Sequence, residues 1–210
     1  MKHIPLALVA LMLVACVEAA APVRQAAYTF DLYETGLVFR WQPDRLPVRY
    51  WVAPDAGIVA NFAQEGLGEW GRQFVYGEYR GVIVSDPADA DVLIRVAPTT
   101  PPSGTPNNEP PAIGACDGVT SFELSDDVVS GPFEITVGWD VRYSDQDVVN
   151  CLERVTVHEI GHTIGLFGHS SNELDLMHPN PRVRTPSPGD RVTAEVLYHT
   201  APTVRPPGES

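Results

Sequence analysis

His158-Glu159-Ile160-Gly161-His162-Thr163-Ile164-Gly165-Leu166-Phe167-Gly168-His169 is the stretch on which the reading of this chain turns. On an α-helix, positions i and i+4 share a face one turn apart, so His158 and His162 can present their rings to a single metal ion. Gly165 is the residue type that ends a helix cheaply by turning left-handed, after which the chain can double back and bring in His169 as a third ligand. Three neutral imidazoles leave a fourth position on zinc for water, whose pKa the metal lowers from ~15.7 toward roughly 7. Glu159, next to His158, can reach that water without ligating the metal. It would act as general base and hand the proton to a leaving amine after attack on a peptide carbonyl. His-Glu-x-x-His alone also arises as an ordinary pair of helix histidines. Here it is joined by a glycine turn, a third histidine and the downstream Met177, and four of the six histidines fall between positions 158 and 178.

Working outward, residues 144–166 read as one long helix whose N-terminus is favoured electrostatically by Asp145 and Asp147. Upstream, residues 48–52, 81–85, 91–97, 119–124 and 133–139 have strand character, rich in β-branched and aromatic residues between turn signals. Residues 57–76 carry Ile58, Phe62, Leu67, Trp70 and Phe74 at roughly helical spacing, and these are expected in the core. Residues 98–111 are rich in Pro, Thr and Asn, nearly devoid of apolar residues, and read as a long surface loop. A short amphipathic stretch at residues 190–198 is the last expected helix. The domain is placed at 46–200, with 16–45 as a tether or short pro-segment and 201–210 as a frayed tail.

The segment His158–His162, Gly165, His169-Ser170 and Asp175-Leu176-Met177-His178-Pro179 resembles the metzincin zinc peptidases, and within them the matrixin-like metallopeptidases. That resemblance implies an α+β catalytic domain: a twisted, mostly parallel five-stranded sheet with one antiparallel edge strand, an active-site helix and a C-terminal helix. It implies that Met177 forms a tight turn beneath the zinc ligands and that Pro179 helps line the wall of the pocket for the residue after the scissile bond. This chain departs from the family in one place. Leu166, Phe167 and Gly168 make three residues between the turn glycine and the third histidine, where the family has two. Gly168 is the residue expected to absorb the addition, and His178 is the next histidine in line. One catalytic zinc is expected, since residues 98–111, where matrixins carry a structural zinc, hold no histidine. Calcium has candidate carboxylates in Asp86, Asp89 and Asp91, and in Asp126 and Asp127, beside the ordinary reading of solvated charge.

The N-terminus reads as an export signal: Lys2 and His3 precede an apolar run, residues 4–14, too short to span a membrane as a mature helix. Leu13-Val14-Ala15-Cys16 resembles the bacterial lipoprotein box. Cleavage after residue 15 would leave Cys16 to carry a lipid anchor, and Val17 after it is compatible with sorting to an outer membrane. The other reading is cleavage within residues 18–21 and release as a secreted protein. In an oxidising compartment Cys116 and Cys151 are the pair left to form a disulfide, the alternative being two buried thiols. The formal net charge of -13 supplies no cationic face for a phosphate backbone and so excludes nucleic acid as a natural partner. The expected function is thus a monomeric zinc endopeptidase of the bacterial cell envelope acting on peptide or protein substrates. The alternative from another class is a non-catalytic zinc-binding envelope lipoprotein.

Overall fold

Residues 48–52 and 92–98 form two strands rich in β-branched and other apolar residues, of which Val48, Tyr50, Val92, Leu93 and Ile94 are buried, and such strands are found in the middle of parallel sheets. In the computed structural model, which describes residues 24–32, 35–98, 115–139 and 144–207, they lie side by side near the centre of the sheet. The elements run β1 (Val48–Val52), α1 (Val59–Gly71), β2 (Gly81–Val84), β3 (Val92–Pro98), β4 (Cys116–Ser125), β5 (Val128–Trp139), α2 (Asp145–Ile164) and α3 (Pro188–Tyr198). The five strands form one sheet in the order β2-β1-β3-β5-β4. All neighbours are parallel except β4 and β5, an antiparallel hairpin that puts β4 at the edge. The expected α+β fold, with its mostly parallel sheet and antiparallel edge strand, is the one observed.

The leader (1–15), Cys16 and nearly all of the Pro-rich stretch (99–111) lie outside the described residues. Asp126 and Asp127, candidate calcium carboxylates, are the two turn residues of the β4–β5 hairpin, with φ of 51° and 58°. Two-residue hairpin turns need positive φ at both positions, and Asp tolerates it better than most residues. Asp91 is also otherwise engaged. It is buried, its Oδ2 accepts from the Arg49 backbone N–H and Nε, and its Oδ1 accepts from Arg49 Nη2 at 2.8 Å.

The domain extends beyond the boundaries read from sequence at both ends. Residues 24–45, expected as a tether or pro-segment, lie along the domain and contribute Phe39 and Trp41, both fully buried, to its core. Trp41 Nε1 donates to the Thr163 carbonyl (2.8 Å), Tyr28 Oη to Asp190 Oδ1 (2.9 Å) and the Ala27 N–H to Thr193 Oγ1 (3.0 Å). The tail expected to fray from residue 201 is also tied down. Val204 is buried, its N–H donates to the Val38 carbonyl, and Arg205 bridges to Val128 in the hairpin. Both segments are irregular chain anchored by single large side chains and isolated bridges. They have no periodicity for a sequence reading to detect.

Candidate metal centre and catalytic cleft

Ser144 caps α2, its Oγ accepting from the Asp147 N–H at 3.2 Å, and Asp145 and Asp147 occupy the first turn. At the other end Gly165 takes φ of 113°, and its N–H returns to the carbonyls of Gly161 and His162. Any Cβ at Gly165 would overlap the Phe39 carbonyl, so both conformation and space require glycine there. The chain then folds back and brings His169 to the helix pair. The ring centroids stand 4.7 Å (His158–His162), 5.0 Å (His162–His169) and 5.3 Å (His158–His169) apart. One nitrogen from each of the three rings lies within 4.8 Å of the others.

The extra residue before His169 is accommodated, though not by a left-handed step at Gly168, which is absent from the positive-φ glycines. What Gly168 supplies is room. The Thr29 backbone carbonyl occupies the place a Cβ on Gly168 would take, so any side chain there would collide, and the neighbouring Phe167 N–H donates to the Phe30 carbonyl at 3.2 Å. The lengthened turn is therefore held by the N-terminal segment. His178 is not one of the converging three; its Nδ1 takes the Asn180 N–H instead.

Nδ1 of His158 lies 2.8 Å from the Leu176 carbonyl, and Nδ1 of His162 lies 2.6 Å from the Leu166 carbonyl. A carbonyl only accepts, so the proton sits on Nδ1 in both rings and the Nε2 lone pair is left for a metal. Burial, followed by the neighbouring His162, pushes His158 down to about 3, and burial followed by His169 pushes His162 down to about 4. Burial also lowers His169. All three rings are thus neutral at physiological pH, the form in which an imidazole can bind a metal. Three convergent neutral imidazoles with an open side toward a cleft fit zinc in a catalytic rather than a structural site. Among the described residues no other group of three His, Cys, Asp or Glu side chains converges in this way.

Glu159 is 4% exposed, and burial raises its pKa, against the pull of His158 and of a hydrogen bond from Thr120. Its Oε2 accepts from Thr120 Oγ1 at 2.7 Å. Met177 is fully buried against Gly161 of α2, in a turn closed by the His178 N–H to the Asp175 carbonyl. The space left by Gly161 is filled by the Met177 sulfur and the Trp70 ring. Two carboxylates hold this turn. Asp190 accepts from the Leu176 and Met177 N–H groups, and buried Asp175 accepts from Ser170 Oγ, Asn172 Nδ2 and Ser187 Oγ. Neither was foreseen as a site residue. Ser187-Pro188-Gly189-Asp190 is a helix-capping pattern that could have drawn attention to Asp190, since the capping box is formed.

The histidines open onto a cleft of about 1000 Å³. Cys116, Gly118 and Thr120 of β4 line one wall, and Pro179 to Arg182 the other. Cys116 and Cys151 form the expected disulfide, joining β4 to α2 across one end of the cleft.

The matrixin family model matches residues 126–197. Over those residues the chain resembles the matrixins. The matched stretch runs from the hairpin turn through β5, α2, Gly165, His169 and Met177 to the end of α3, and so contains every member of the metal centre. The match implies a zinc metallopeptidase, and the three histidines are the residues of this matrixin-like chain that could bind the metal. No curated protein matches the chain.

Proposed function

We propose that this protein is a zinc endopeptidase in which His158, His162 and His169 hold the metal and Glu159 is the general base. Zinc held there would supply Lewis acidity toward a peptide carbonyl and make water nucleophilic near neutral pH. The observation carrying the reading is the convergence of three neutral imidazoles on one side of an open cleft, with a buried carboxylate on the adjacent helix residue. Glu159 takes the proton of the attacking water and releases it to the departing amine, the role its raised pKa suits. β4 is the edge strand, so its outer backbone groups are free to align an extended peptide along the cleft, with Pro179 on the facing wall. Met177 supports the histidines by packing from beneath.

The test is hydrolysis of an unfolded protein substrate with and without a zinc chelator. Activity should vanish with the chelator. Glu159→Ala should lower kcat by roughly 10²–10⁴-fold while zinc stays bound, and His169→Ala should lose both zinc and activity. Cleavage that survives Glu159→Ala would refute this mechanism. Bound zinc without cleavage of any substrate would favour the non-catalytic envelope lipoprotein.

The same proposal places the protein outside the cytoplasm, held to a bacterial envelope by a lipid on Cys16. The formed Cys116–Cys151 disulfide supports export, because such bonds persist in oxidising compartments. The mass of the mature N-terminal peptide decides between a lipidated Cys16 and simple secretion.

A further inference from the structure

Along β4 successive side chains alternate faces, so Cys116, Gly118 and Thr120 all point toward α2. Each meets that helix one turn further on. Cys116 is bonded to Cys151. Gly118 lies over Val155 and Glu159: a Cβ there would collide with Val155 Cγ1 and stand 2.7 Å from both Cγ and Oε1 of Glu159. Thr120 Oγ1 donates to Glu159 Oε2 at 2.7 Å and lies 3.1 Å from the Glu159 carbonyl oxygen. The match of spacings has a simple origin. Two strand residues advance about 6.8 Å and four helix residues about 6 Å, so the pairs 116/151, 118/155 and 120/159 stay in step. The disulfide at the first rung fixes the register in which Thr120 meets Glu159 at the third.

A glutamate has three rotatable bonds, and a carboxylate this deeply buried needs a donor. Among the described residues, Thr120 is the one hydrogen-bond donor to the Glu159 carboxylate. The strand does not need that hydroxyl for its own pairing, because the β4–β5 ladder is made by backbone groups. We propose that Thr120 is a positioning residue for Glu159: its hydroxyl fixes the rotation of the carboxylate in the space that Gly118 leaves open, so that the base faces the cleft. This rests on the reading of Glu159 as general base and extends it to the edge strand.

The test compares Thr120→Val, nearly isosteric but without a donor, with Thr120→Ser in the zinc-loaded full-length protein. Zinc content and denaturation midpoint are measured alongside hydrolysis. Binding is measured for two otherwise identical peptides, one ending in a hydroxamate, whose N–OH proton calls for a carboxylate acceptor beside the metal, and one ending in a thiol, which does not. Thr120→Val should keep its zinc, lose roughly 10-fold in kcat with little change in KM, and lose a similar factor for the hydroxamate but not the thiol. Thr120→Ser should restore both. A kcat within twofold of the parent together with unchanged hydroxamate affinity overturns the proposal. So does an equal loss for both peptides, which would mark the hydroxyl as merely structural. If the hydroxamate preference follows the hydroxyl but no peptide bond is ever cleaved, the positioning of Glu159 stands and the peptidase reading alone fails.

Discussion

His158 and His162 stand one turn apart on α2 with their Nδ1 atoms facing carbonyls, whereas His169 comes from the irregular chain beyond Gly165 and is the most exposed of the three. The first pair owes its spacing to helix geometry, and the helix is seated on the core by side-chain donors. Trp70 Nε1 donates to the Val157 carbonyl and Trp41 Nε1 to that of Thr163. His169 has no such scaffold. Its neighbour Ser170 is bound to the Met177 carbonyl and to Asp175, and the turn before it leans on Thr29 and Phe30 from the far N-terminal end. A metal centre can thus join ligands fixed by local geometry to one fixed by distant parts of the chain, and the two should respond differently to perturbation.

Acidification of the zinc-free protein should expose the largest difference. His158 and His162 are lowered by burial to about 3 and about 4, against roughly 6.5 in an unfolded chain. Between those values the unfolded state binds more protons, so stability rises with pH; it is fully present above about 6.5 and is lost as pH falls toward 4. Glu159, raised by burial, contributes with the opposite sign. Denaturant midpoints of the zinc-free protein measured from pH 7.5 down to pH 4.5 should therefore fall steadily. His158→Gln should flatten the decline most, and His169→Ala, which removes a more exposed ring that is also lowered and that helps lower His162, should flatten it less. A midpoint independent of pH would mean that the helix histidines are not held buried and neutral without metal.

The same division explains what could be read in advance. The i, i+4 histidines, the adjacent Glu159 and the helix-ending Gly165 are local patterns and fall together on α2, and the strands read from their β-branched and aromatic residues are present, although β4 (Cys116–Ser125) and β5 (Val128–Trp139) are longer than the 119–124 and 133–139 expected. His169 was reached by elimination among nearby ligand types and joins the other two. The roles of Thr120 and of the stretch read as a tether depend on contacts with residues remote in the chain, and Asp175, though part of the motif that carries the resemblance, gathers its three donors from irregular turns without a period. A single threonine in a strand or an aspartate in a loop has no spacing to betray it. Phe39 and Trp41 were assigned to a tether because irregular chain gives a buried aromatic the same appearance as an exposed one.

Asp175 offers a narrower way to sharpen the contrast. Its carboxylate gathers Ser170, next to His169, together with Asn172 and with Ser187 at the cap of α3, and all of this is packed at the turn that carries Met177. Asp175→Ala leaves those hydroxyls and the amide without their acceptor and frees the segment that holds His169, while α2 meets this turn through His158 Nδ1 at the Leu176 carbonyl, a backbone contact that the substitution does not remove. Groups that orient metal ligands in this way are typically worth roughly 10–100-fold in metal affinity, so competition with a chromophoric chelator should show zinc weakened by about that factor. Trp70→Phe is the helix-side counterpart. Loss of its N–H to the Val157 carbonyl should cost about 1–2 kcal/mol of stability with zinc affinity nearly unchanged, because the helix hydrogen bonds still set the spacing of His158 and His162. Equal zinc loss in the two variants would show that the helix pair depends on distant support as much as the loop does. Unchanged affinity in Asp175→Ala would show instead that Ser170, through its backbone bond to Met177, and the N-terminal segment suffice to present His169.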